Sequence, residues 1–572
     1  MEHDIRFNQV SFTYAGSETP ALDKINLEIK IGEIVLITGP AGSGKTTLCS
    51  CINGLIPHYH EGELTGKVTI GPYDTKIVRV GGLASIVGMV FQDPESQLVT
   101  SSVEDEVAFG PENFGIPREK INKRVIKALK ATRMTGYEER EPHTLSGGEQ
   151  QACVIAATYS MHPEIYVLDE PLANLDPAGR AKVLQLVTDI AKEFGKTMVI
   201  VEHALEEILP FVDRVLILNK GKIVRDGTVT EVLEAGDIKS VFKRPDITRL
   251  ADSLHIHSNP LKPESLIKEI HHSFKPGQIK KRFNEEHHNG KGKAVIQMDH
   301  VTHSYEEGVD ALFDVSLTIH QGEFVALLGR NGSGKTTLVS HLIGLLHPSK
   351  GKVTIVGFDT KDTPTHVLAK DVGFCFQNPN HQIVSFNVLD EMTFGLKAHE
   401  IDPSEYDRRI EKALKTVHME EYADAEIFDL GKGQKQRIAL ASVLTLEPEI
   451  LVIDEPTTGQ DPEMTDDIFE IIRSLNESGT TVLVITHKVD YAAMYADRAI
   501  VLSFGRIAFD GPIDSLLLDE ALMKENSLEL PDITKLAKQL SGYGIPANTV
   551  LYSEMENYLK QLVEAQRGNS IY

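Results

Sequence analysis

The chain has 572 residues, of which 41% are hydrophobic and 25% are charged, and its formal net charge is -25 at pH 7. This acidic balance argues against a nucleic-acid-binding surface, which requires clustered Lys and Arg, and the length predicts about three to five domains. No apolar signal segment and no run of about 18 apolar residues occurs, so the sequence predicts neither a signal peptide nor a membrane-spanning helix.

Cysteine and histidine are the residues that most often suggest a metal, and neither type completes a site. The close pair Cys49/Cys51 lacks the second pair that a zinc site needs. All four cysteines, with Cys153 and Cys375, are therefore predicted to be free thiols in a reducing compartment. Residues 271–293 are polar, with Gly and Pro breakers and two His pairs. A flexible linker is favoured over a metal site there, because no Cys or acidic cluster accompanies the histidines.

The same set of motifs occurs twice. GPAGSGKTT begins at Gly39 and GRNGSGKTT at Gly329, and FQDPESQ begins at Phe91 while FQNPNHQ begins at Phe376. LDEP and IDEP, then RPDITRLADSL and LPDITKLAKQL, follow in the same order and at nearly the same spacing. Such collinear matches indicate a duplication. The predicted domains are a first domain at 1–242, a helical extension and polar linker at 243–293, a second domain at 294–512 and a C-terminal helical extension at 513–572.

Strand-like apolar runs alternate with helical patterns in both copies. EIVLITG precedes a helical segment from Thr46 to Leu55, and IYVLDE precedes another from Gly179 to Phe194. Apolar strands that alternate with helices predict an α/β fold with a mainly parallel sheet in each copy.

Each copy has the eight-residue P-loop pattern between an apolar strand and a helical segment. Its glycines allow backbone N–H groups to surround phosphate oxygens at a helix N-terminus. Lys45 and Lys335 would reach the β- and γ-phosphates of ATP, and the hydroxyls of Thr46 and Thr336 would bind Mg²⁺. The predicted ATP-binding residues are Gly39, Gly42, Ser43, Gly44, Lys45, Thr46 and Thr47 in the first copy and Gly329, Gly332, Ser333, Gly334, Lys335, Thr336 and Thr337 in the second.

An Asp-Glu pair follows an apolar run in each copy, at Asp169/Glu170 and at Asp454/Glu455. Ligands of parallel α/β sheets bind at the carboxyl ends of the strands. The aspartates are therefore predicted to hold Mg²⁺. The glutamates are predicted to polarise the attacking water as general bases.

The segment LSGGEQ at 145–150 resembles the signature of ABC ATPases, and the resemblance covers nearly the whole chain. It implies two tandem P-loop ABC ATPase domains, each with a mainly parallel sheet core, an antiparallel β subdomain and a helical subdomain. In the family, the signature of one cassette closes onto ATP held by the other, here as a pseudo-dimer within one chain. Ser146, Gly147 and Gly148 would then contact the γ-phosphate bound at Lys335.

Other family elements that the resemblance implies are present in both copies. They are the Q-loop glutamines Gln92 and Gln377, which would reach Mg²⁺; the catalytic switch histidines His203 and His487; the D-loop aspartates Asp176 and Asp461; and Tyr14 and Tyr305, at the position where the family stacks a ring on adenine. A lone tyrosine is more typical of a core residue than of a cofactor contact. ATP and Mg²⁺ are the implied cofactors.

The second signature departs from the family pattern. It reads LGKGQ, with Gly431 in place of serine and Lys432 in place of a glycine, and Gly431 and Gly433 would contact the nucleotide. Loss of a hydroxyl that binds a charged phosphate costs roughly 1.5–3 kcal/mol, whereas the Lys432 cation offers compensation. Two hypotheses stay open: the site at Lys45 turns over more slowly than the site at Lys335, or both hydrolyse ATP equally.

The segments VFQDPESQLVTSSVEDEVAFGPEN and CFQNPNHQIVSFNVLDEMTFGLKA resemble those of energy-coupling factor (ECF) ATPases and their cobalt- and nickel-importer relatives. In that family this region faces an integral-membrane coupling subunit. The resemblance implies a peripheral protein at the cytoplasmic face of the cell membrane. It would drive uptake of a vitamin, cobalt or nickel through that subunit and a membrane substrate-binding subunit, with no nucleic-acid partner.

Two other classes of function compete with an importer. A soluble twin-cassette ABC ATPase acting on ribosomes or nucleic acid would also lack membrane helices, but this chain is acidic and has no long basic helix between the copies. A sensor without turnover would need no general base, and Glu170 and Glu455 are both retained.

Overall fold

The computed structural model describes residues 3–173, 175–235, 242–256, 260–274, 292–305, 310–457 and 462–569. The chain divides into two units, Met1–Leu266 and Ile267–Tyr572. A helix at Pro263–Ser273 extends into the predicted linker. It carries Leu266 and Ile270 one turn apart, and both are buried. The rest of the predicted linker from residue 275 to 291, with its second histidine pair, lies outside the described residues.

The first unit contains two sheets. An antiparallel sheet has the strand order β2-β1-β4-β5, and a six-stranded sheet has the order β10-β9-β3-β8-β7-β6, parallel except for β10. The strands are β1 (Ile5–Tyr14), β2 (Leu22–Ile29), β3 (Ile34–Thr38), β4 (Gly62–Ile70), β5 (Tyr73–Asp74), β6 (Val87–Val90), β7 (Ile165–Asp169), β8 (Thr197–Val201), β9 (Arg214–Asn219) and β10 (Lys222–Gly227).

Helices cover the parallel sheet of the first unit and extend beyond it. They are α1 (Lys45–Ile52), α2 (Leu55–His58), α3 (Val80–Leu83), α4 (Val103–Asn113), α5 (Arg118–Ala131), α6 (Gly147–Ser160), α7 (Pro177–Phe194), α8 (Leu205–Ile208), α9 (Val229–Glu234), α10 (Asp246–Ser253) and α11 (Pro263–Ser273).

Successive residues of β3 face different apolar layers. Val35 and Ile37 pack with the antiparallel sheet and α1, whereas Ile34 and Leu36 pack with α4 to α7. Every residue of β3, β7 and β8 is buried, as expected for strands that are covered on both faces. Because these strands are parallel neighbours, their carboxyl ends meet at one edge of the sheet.

The second unit repeats this arrangement, with sheet orders β12-β11-β14-β15 and β16-β17-β18-β13-β19-β20. Its strands are β11 (Ala294–Ser304), β12 (Asp310–His320), β13 (Phe324–Leu328), β14 (Lys350–Ile355), β15 (Phe358–Asp359), β16 (Val372–Cys375), β17 (Ile450–Asp454), β18 (Thr481–Ile485), β19 (Arg498–Ser503) and β20 (Arg506–Pro512). The predicted fold class, a mainly parallel core with an antiparallel sheet and helices in each copy, is confirmed.

The helices of the second unit largely follow the order of the first, although its described residues include no counterpart of α2. They are α12 (Lys335–Leu342), α13 (Thr365–Leu368), α14 (Val388–Ala398), α15 (Tyr406–Thr416), α16 (Lys432–Leu444), α17 (Pro462–Glu477), α18 (Val489–Tyr495), α19 (Ile513–Leu518), α20 (Glu520–Glu525), α21 (Asp532–Gln539) and α22 (Tyr552–Asn569). Throughout the described ranges, no helix is both long and apolar enough to cross a membrane.

The repeated PDIT segments form equivalent helices, α10 and α21. Each begins after a proline and buries its apolar face. In each helix a buried threonine hydroxyl donates to a backbone carbonyl beyond the helix, from Thr248 to Pro260 at 2.8 Å and from Thr534 to Thr549 at 3.0 Å. The duplication therefore includes these extensions as well as the sheets.

Candidate functional site

The P-loop of the first unit connects β3 to α1, and its backbone conformation requires glycine. Gly39 and Gly44 have φ angles of 139° and 102°. A Cβ atom at Gly39 would lie 2.0 Å from the carbonyl oxygen of Leu218, so no side chain fits. The Lys45 ammonium is buried and donates to the carbonyls of Gly39 at 2.8 Å and Pro40 at 2.9 Å.

The second P-loop has the same geometry between β13 and α12. Gly329 and Gly334 have φ angles of 145° and 101°. The Lys335 ammonium donates to the carbonyls of Gly329 at 2.7 Å and Arg330 at 2.9 Å. The hydroxyl of Ser333 is buried and has no hydrogen-bond partner among the described residues, and the same holds for that of Ser43 in the first loop. A buried hydroxyl without a partner is costly in an isolated protein, and a phosphate oxygen would satisfy it.

Asp169 ends β7 beside the first P-loop. Burial raises the pKa of this carboxyl to about 6, although a hydrogen bond from Thr46 opposes the shift, and the neighbouring Glu170 raises it further. One carboxylate oxygen of Asp169 is buried and unpartnered. A buried carboxylate oxygen next to a threonine hydroxyl fits Mg²⁺, which takes oxygen ligands and removes the cost of the buried charge.

Asp454 ends β17 at the equivalent place in the second unit. Burial and the neighbouring Glu455 raise its pKa to about 6, and the Lys335 ammonium lowers it. In both units the P-loop lysine thus lies close enough to the aspartate to interact with it. Their roles as ligands stay predictions.

Glu170 is held by two side chains in the first unit. Its carboxylate accepts from Gln92 Nε2 at 2.6 Å and lies 3.4 Å from His203 Nε2. Glu170 has a φ angle of 49°, an unusual conformation for a residue other than glycine. Backbone strain of this kind is concentrated at functional sites. The arrangement suits a general base that must be oriented toward a water molecule.

Glu455 is held differently in the second unit. His487 Nδ1 lies 2.9 Å from its carboxylate, and the His487 backbone amide donates to the same oxygen at 3.4 Å. Burial alone would raise the pKa of Glu455, but His487 and Lys335 lower it below its ordinary value. Glu455 is therefore ionised and able to accept a proton. The predicted Q-loop residue Gln377 is exposed.

One buried carboxylate beside the first site is absent from the predictions. Glu202 directly precedes His203 and accepts from the backbone amides of Leu172 at 2.8 Å and His203 at 3.0 Å. Burial raises its pKa to about 7, although the Leu172 amide opposes the shift. The sequence signal was the change from VEH in the first copy to ITH in the second, which places Thr486 at this position.

The signature residues lie at the N-termini of α6 and α16. The Ser146 hydroxyl and amide both donate to Glu149, at 2.7 Å and 2.9 Å, and Glu149 also accepts from Tyr137. In the second unit the Gly431 amide donates to Gln434 at 2.9 Å. Gly147 and Gly148 form the first turn of α6. A Cβ atom at Gly433 would lie 2.6 Å from the Met464 sulfur, so the Met464 side chain would have to move to admit one.

The tyrosines lie against the P-loop helices. The hydroxyls of Tyr14 and Thr47, and of Tyr305 and Thr337, are each 3.1 Å apart. A stacking role for these rings stays a prediction. Asp176 begins α7, where its carboxylate accepts from the Gly179 amide at 2.8 Å. Its predicted counterpart Asp461 lies outside the described residues.

Comparisons with known proteins bear on the whole chain. The sequence profile of the family described as ABC transporter matches residues 22–173 and 312–458. A provisionally named ABC transporter ATP-binding protein of Caldanaerobacter subterraneus subsp. tengcongensis is 38% identical over 94% of this chain and 96% of its own length. A protein with the same name from Methanosarcina mazei is 36% identical over 97% of each chain.

One solved structure covers less than half of this chain. The cbiO1 protein from Clostridium perfringens, described as part of the ABC transporter complex cbiONQ, is 30% identical over 42% of this chain and 97% of its own. Its TM-score is 0.38.

Proposed function

The chain belongs to the ABC transporter family, and we propose that it is the ATP-hydrolysing, energy-coupling subunit of an ECF-type importer. In this proposal two ATP molecules with Mg²⁺ bind at the P-loops, and the catalytic glutamates Glu170 and Glu455 polarise the attacking water. The chain would work at the cytoplasmic face of the cell membrane. The cargo would be a micronutrient, either a vitamin or cobalt or nickel.

Hydrolysis is supported by the groups that converge at the end of each parallel sheet. In each unit a P-loop lysine, a buried aspartate, a glutamate and a histidine interact electrostatically. Lysine and Mg²⁺ would neutralise phosphate charge, and the glutamate would orient water. A change from a mostly open to a mostly closed protein would need about 5.5 kcal/mol of difference in nucleotide-binding free energy between the two states.

Coupling to a membrane protein is supported above all by an exposed apolar patch formed by the second Q-loop segment and Phe428. Its members are Val384, Phe386, Leu389, Phe394 and Phe428, each between 47% and 76% exposed. The rings of Phe386 and Phe428 lie 5.8 Å apart, and the Ile427 amide donates to the Phe386 carbonyl at 2.8 Å. Exposed aromatic side chains that are held together in this way are typical of a protein interface.

The first unit exposes apolar side chains at two of the five equivalent positions, Val99 at 62% and Phe109 at 47%, and is polar at the other three. Alignment of the two Q-loop segments puts Ser101 where the second copy has Phe386, and Glu104 where it has Leu389. His143 precedes the first signature where Phe428 precedes the second. We therefore place the main contact with the coupling subunit on the second unit.

The test is a pull-down of the tagged full chain from detergent-solubilised membranes of its own host, with partners identified by mass spectrometry. We expect a multi-helix membrane protein, with a small membrane substrate-binding protein beside it. The variant Phe386→Ser/Phe428→His, which introduces the residues of the first copy, should lose these partners and keep ATPase activity. Phe504→Ser is the matched control, because Phe504 is 76% exposed on a turn of the same unit.

The identity of the captured partners decides between the functions. Recovery of ribosomes or nucleic acid, with no integral membrane protein, would overturn the importer proposal and support the soluble alternative. Equal recovery of the membrane partner with wild type and with Phe386→Ser/Phe428→His would mean that the partner does not bind at the apolar patch.

A further inference from the structure

Two loops of the first unit are joined by one buried side chain. Glu202 directly follows β8 and is 4% exposed. Its two carboxylate oxygens accept from different backbone amides, Oε1 from Leu172 at 2.8 Å and Oε2 from His203 at 3.0 Å. Leu172 lies just after Glu170 at the end of β7. Glu202 thus connects the loop after the general base to the loop that carries the histidine.

The second unit has a different arrangement at the same place. The hydroxyl of Thr486 accepts from the Lys488 amide at 3.1 Å. The His487 amide instead donates to Glu455, which also receives the His487 ring. In this unit the histidine therefore holds the glutamate through its backbone and its side chain together.

The Glu202 contact changes which groups hold the general base of the first unit. The His203 amide donates to Glu202 and not to Glu170. The Glu170 carboxylate is therefore held by two side chains, with Gln92 bound to one oxygen and His203 Nε2 near the other. We infer that Glu202 is a positioning residue of the first cassette, which fixes the backbone at Leu172 and His203 so that Glu170 is oriented by Gln92. This rests on the ATPase part of the proposed function and is independent of the membrane partner.

A carboxylate is suited to this role because it offers two acceptors and no donor. Above about pH 7 the Glu202 carboxyl is ionised, and hydrogen bonds from backbone N–H groups to a charged oxygen are strengthened in a buried setting. Glutamine at residue 202 would keep one acceptor and turn an NH₂ group toward a backbone N–H, which leaves a buried donor unsatisfied. The loops would then shift, and a displacement of about 1 Å at a catalytic group slows a reaction roughly a hundred-fold.

The experiment measures ATP hydrolysis by the full chain with Glu202→Gln in two backgrounds. In Glu455→Gln the remaining turnover comes from the first site, and there we expect Glu202→Gln to lower kcat by roughly ten- to a hundred-fold. The KM for ATP should change less than about two-fold, because the P-loop contacts are intact. In Glu170→Gln, where the first site is already disabled, Glu202→Gln should have no further effect.

The outcomes separate a positioning role from a structural one. A kcat within about two-fold of the Glu455→Gln background, or an equal loss in both backgrounds, would overturn the inference. Absence of any hydrolysis in Glu455→Gln itself would instead contradict the ATPase proposal for the first site. If Glu202→Gln does not fold, Glu202→Thr is measured in the same two backgrounds, with the same expected and contradicting changes in kcat. Threonine is chosen because the second unit buries a threonine at this place.

Discussion

Replacing Asp454 by asparagine should stabilise the second unit and abolish its Mg²⁺-dependent hydrolysis. Burial raises the pKa of Asp454 from its ordinary value to about 6. Above pH 6 the carboxylate is ionised in the folded and the unfolded chain, so its raised pKa is a cost to the folded state. A shift of about two pKa units corresponds to about 3 kcal/mol.

The cost of the ionised Asp454 side chain to the folded state depends on pH. As the pH falls from about 6 toward 4, the folded state binds the proton before the unfolded chain does, and the cost disappears. An asparagine side chain in place of this carboxyl carries no charge at any pH. The variant Asp454→Asn should therefore raise the free energy of unfolding of the second unit by on the order of 1–3 kcal/mol at pH 7.5, and by much less at pH 4.5.

Hydrogen exchange followed by mass spectrometry measures this shift unit by unit. Peptides from β17 and β18 report the second unit, and peptides from β7 and β8 report the first. Asp169→Asn is the matched variant and should protect the first unit alone, since burial also raises the pKa of Asp169 to about 6. Unchanged protection at pH 7.5, or the same gain at pH 4.5, would refute the electrostatic reasoning.

Three further predictions concern the nucleotide sites and a buried histidine of the second unit. Lys45→Ala and Lys335→Ala should each weaken ATP binding by at least ten-fold at one site, measured by equilibrium titration, because each removes a cation from the phosphates; unchanged affinity at both sites would contradict the P-loop assignment. Gly431→Ser should raise the steady-state rate of phosphate release, since it restores a hydroxyl worth roughly 1.5–3 kcal/mol toward a charged phosphate, and an unchanged rate would favour two equal sites. Burial lowers the pKa of His341, so the folded state resists protonation and loses stability as the pH falls below about 6.5. His341→Cys, which introduces the residue of the first copy (Cys51), should reduce that loss, measured in denaturant titrations as the difference in the free energy of unfolding between pH 7.5 and pH 5.5.

The parts of the fold that could be predicted from the sequence are local in the chain. Three kinds of short segment carry them: the P-loops, the apolar strands that end in Asp-Glu and the PDIT helices. Each occurs in both copies, which strengthens its prediction. A helical extension was predicted within 243–293, but the helix at Pro263–Ser273 was not predicted as such, because the polar residues from His271 onward were interpreted as a linker.

The parts that could not be predicted depend on which segments the sheet brings together. Glu202 reaches Leu172 because β7 and β8 are parallel neighbours in a fixed register, and no local pattern encodes that contact. His203 presents Nε2 to its glutamate and His487 presents Nδ1, and no local sequence pattern encodes this difference. Phe386 and Phe428 are far apart in sequence and meet only through the pairing of their loops.

Phosphate release by the purified full chain tests whether this chain hydrolyses ATP with Glu170 and Glu455 as general bases. Wild type should release phosphate in the presence of Mg²⁺ and lose this activity on addition of EDTA. Glu170→Gln/Glu455→Gln should bind ATP with unchanged affinity and hydrolyse it at least about a hundred-fold more slowly. A double variant that hydrolyses ATP at the wild-type rate would contradict the account.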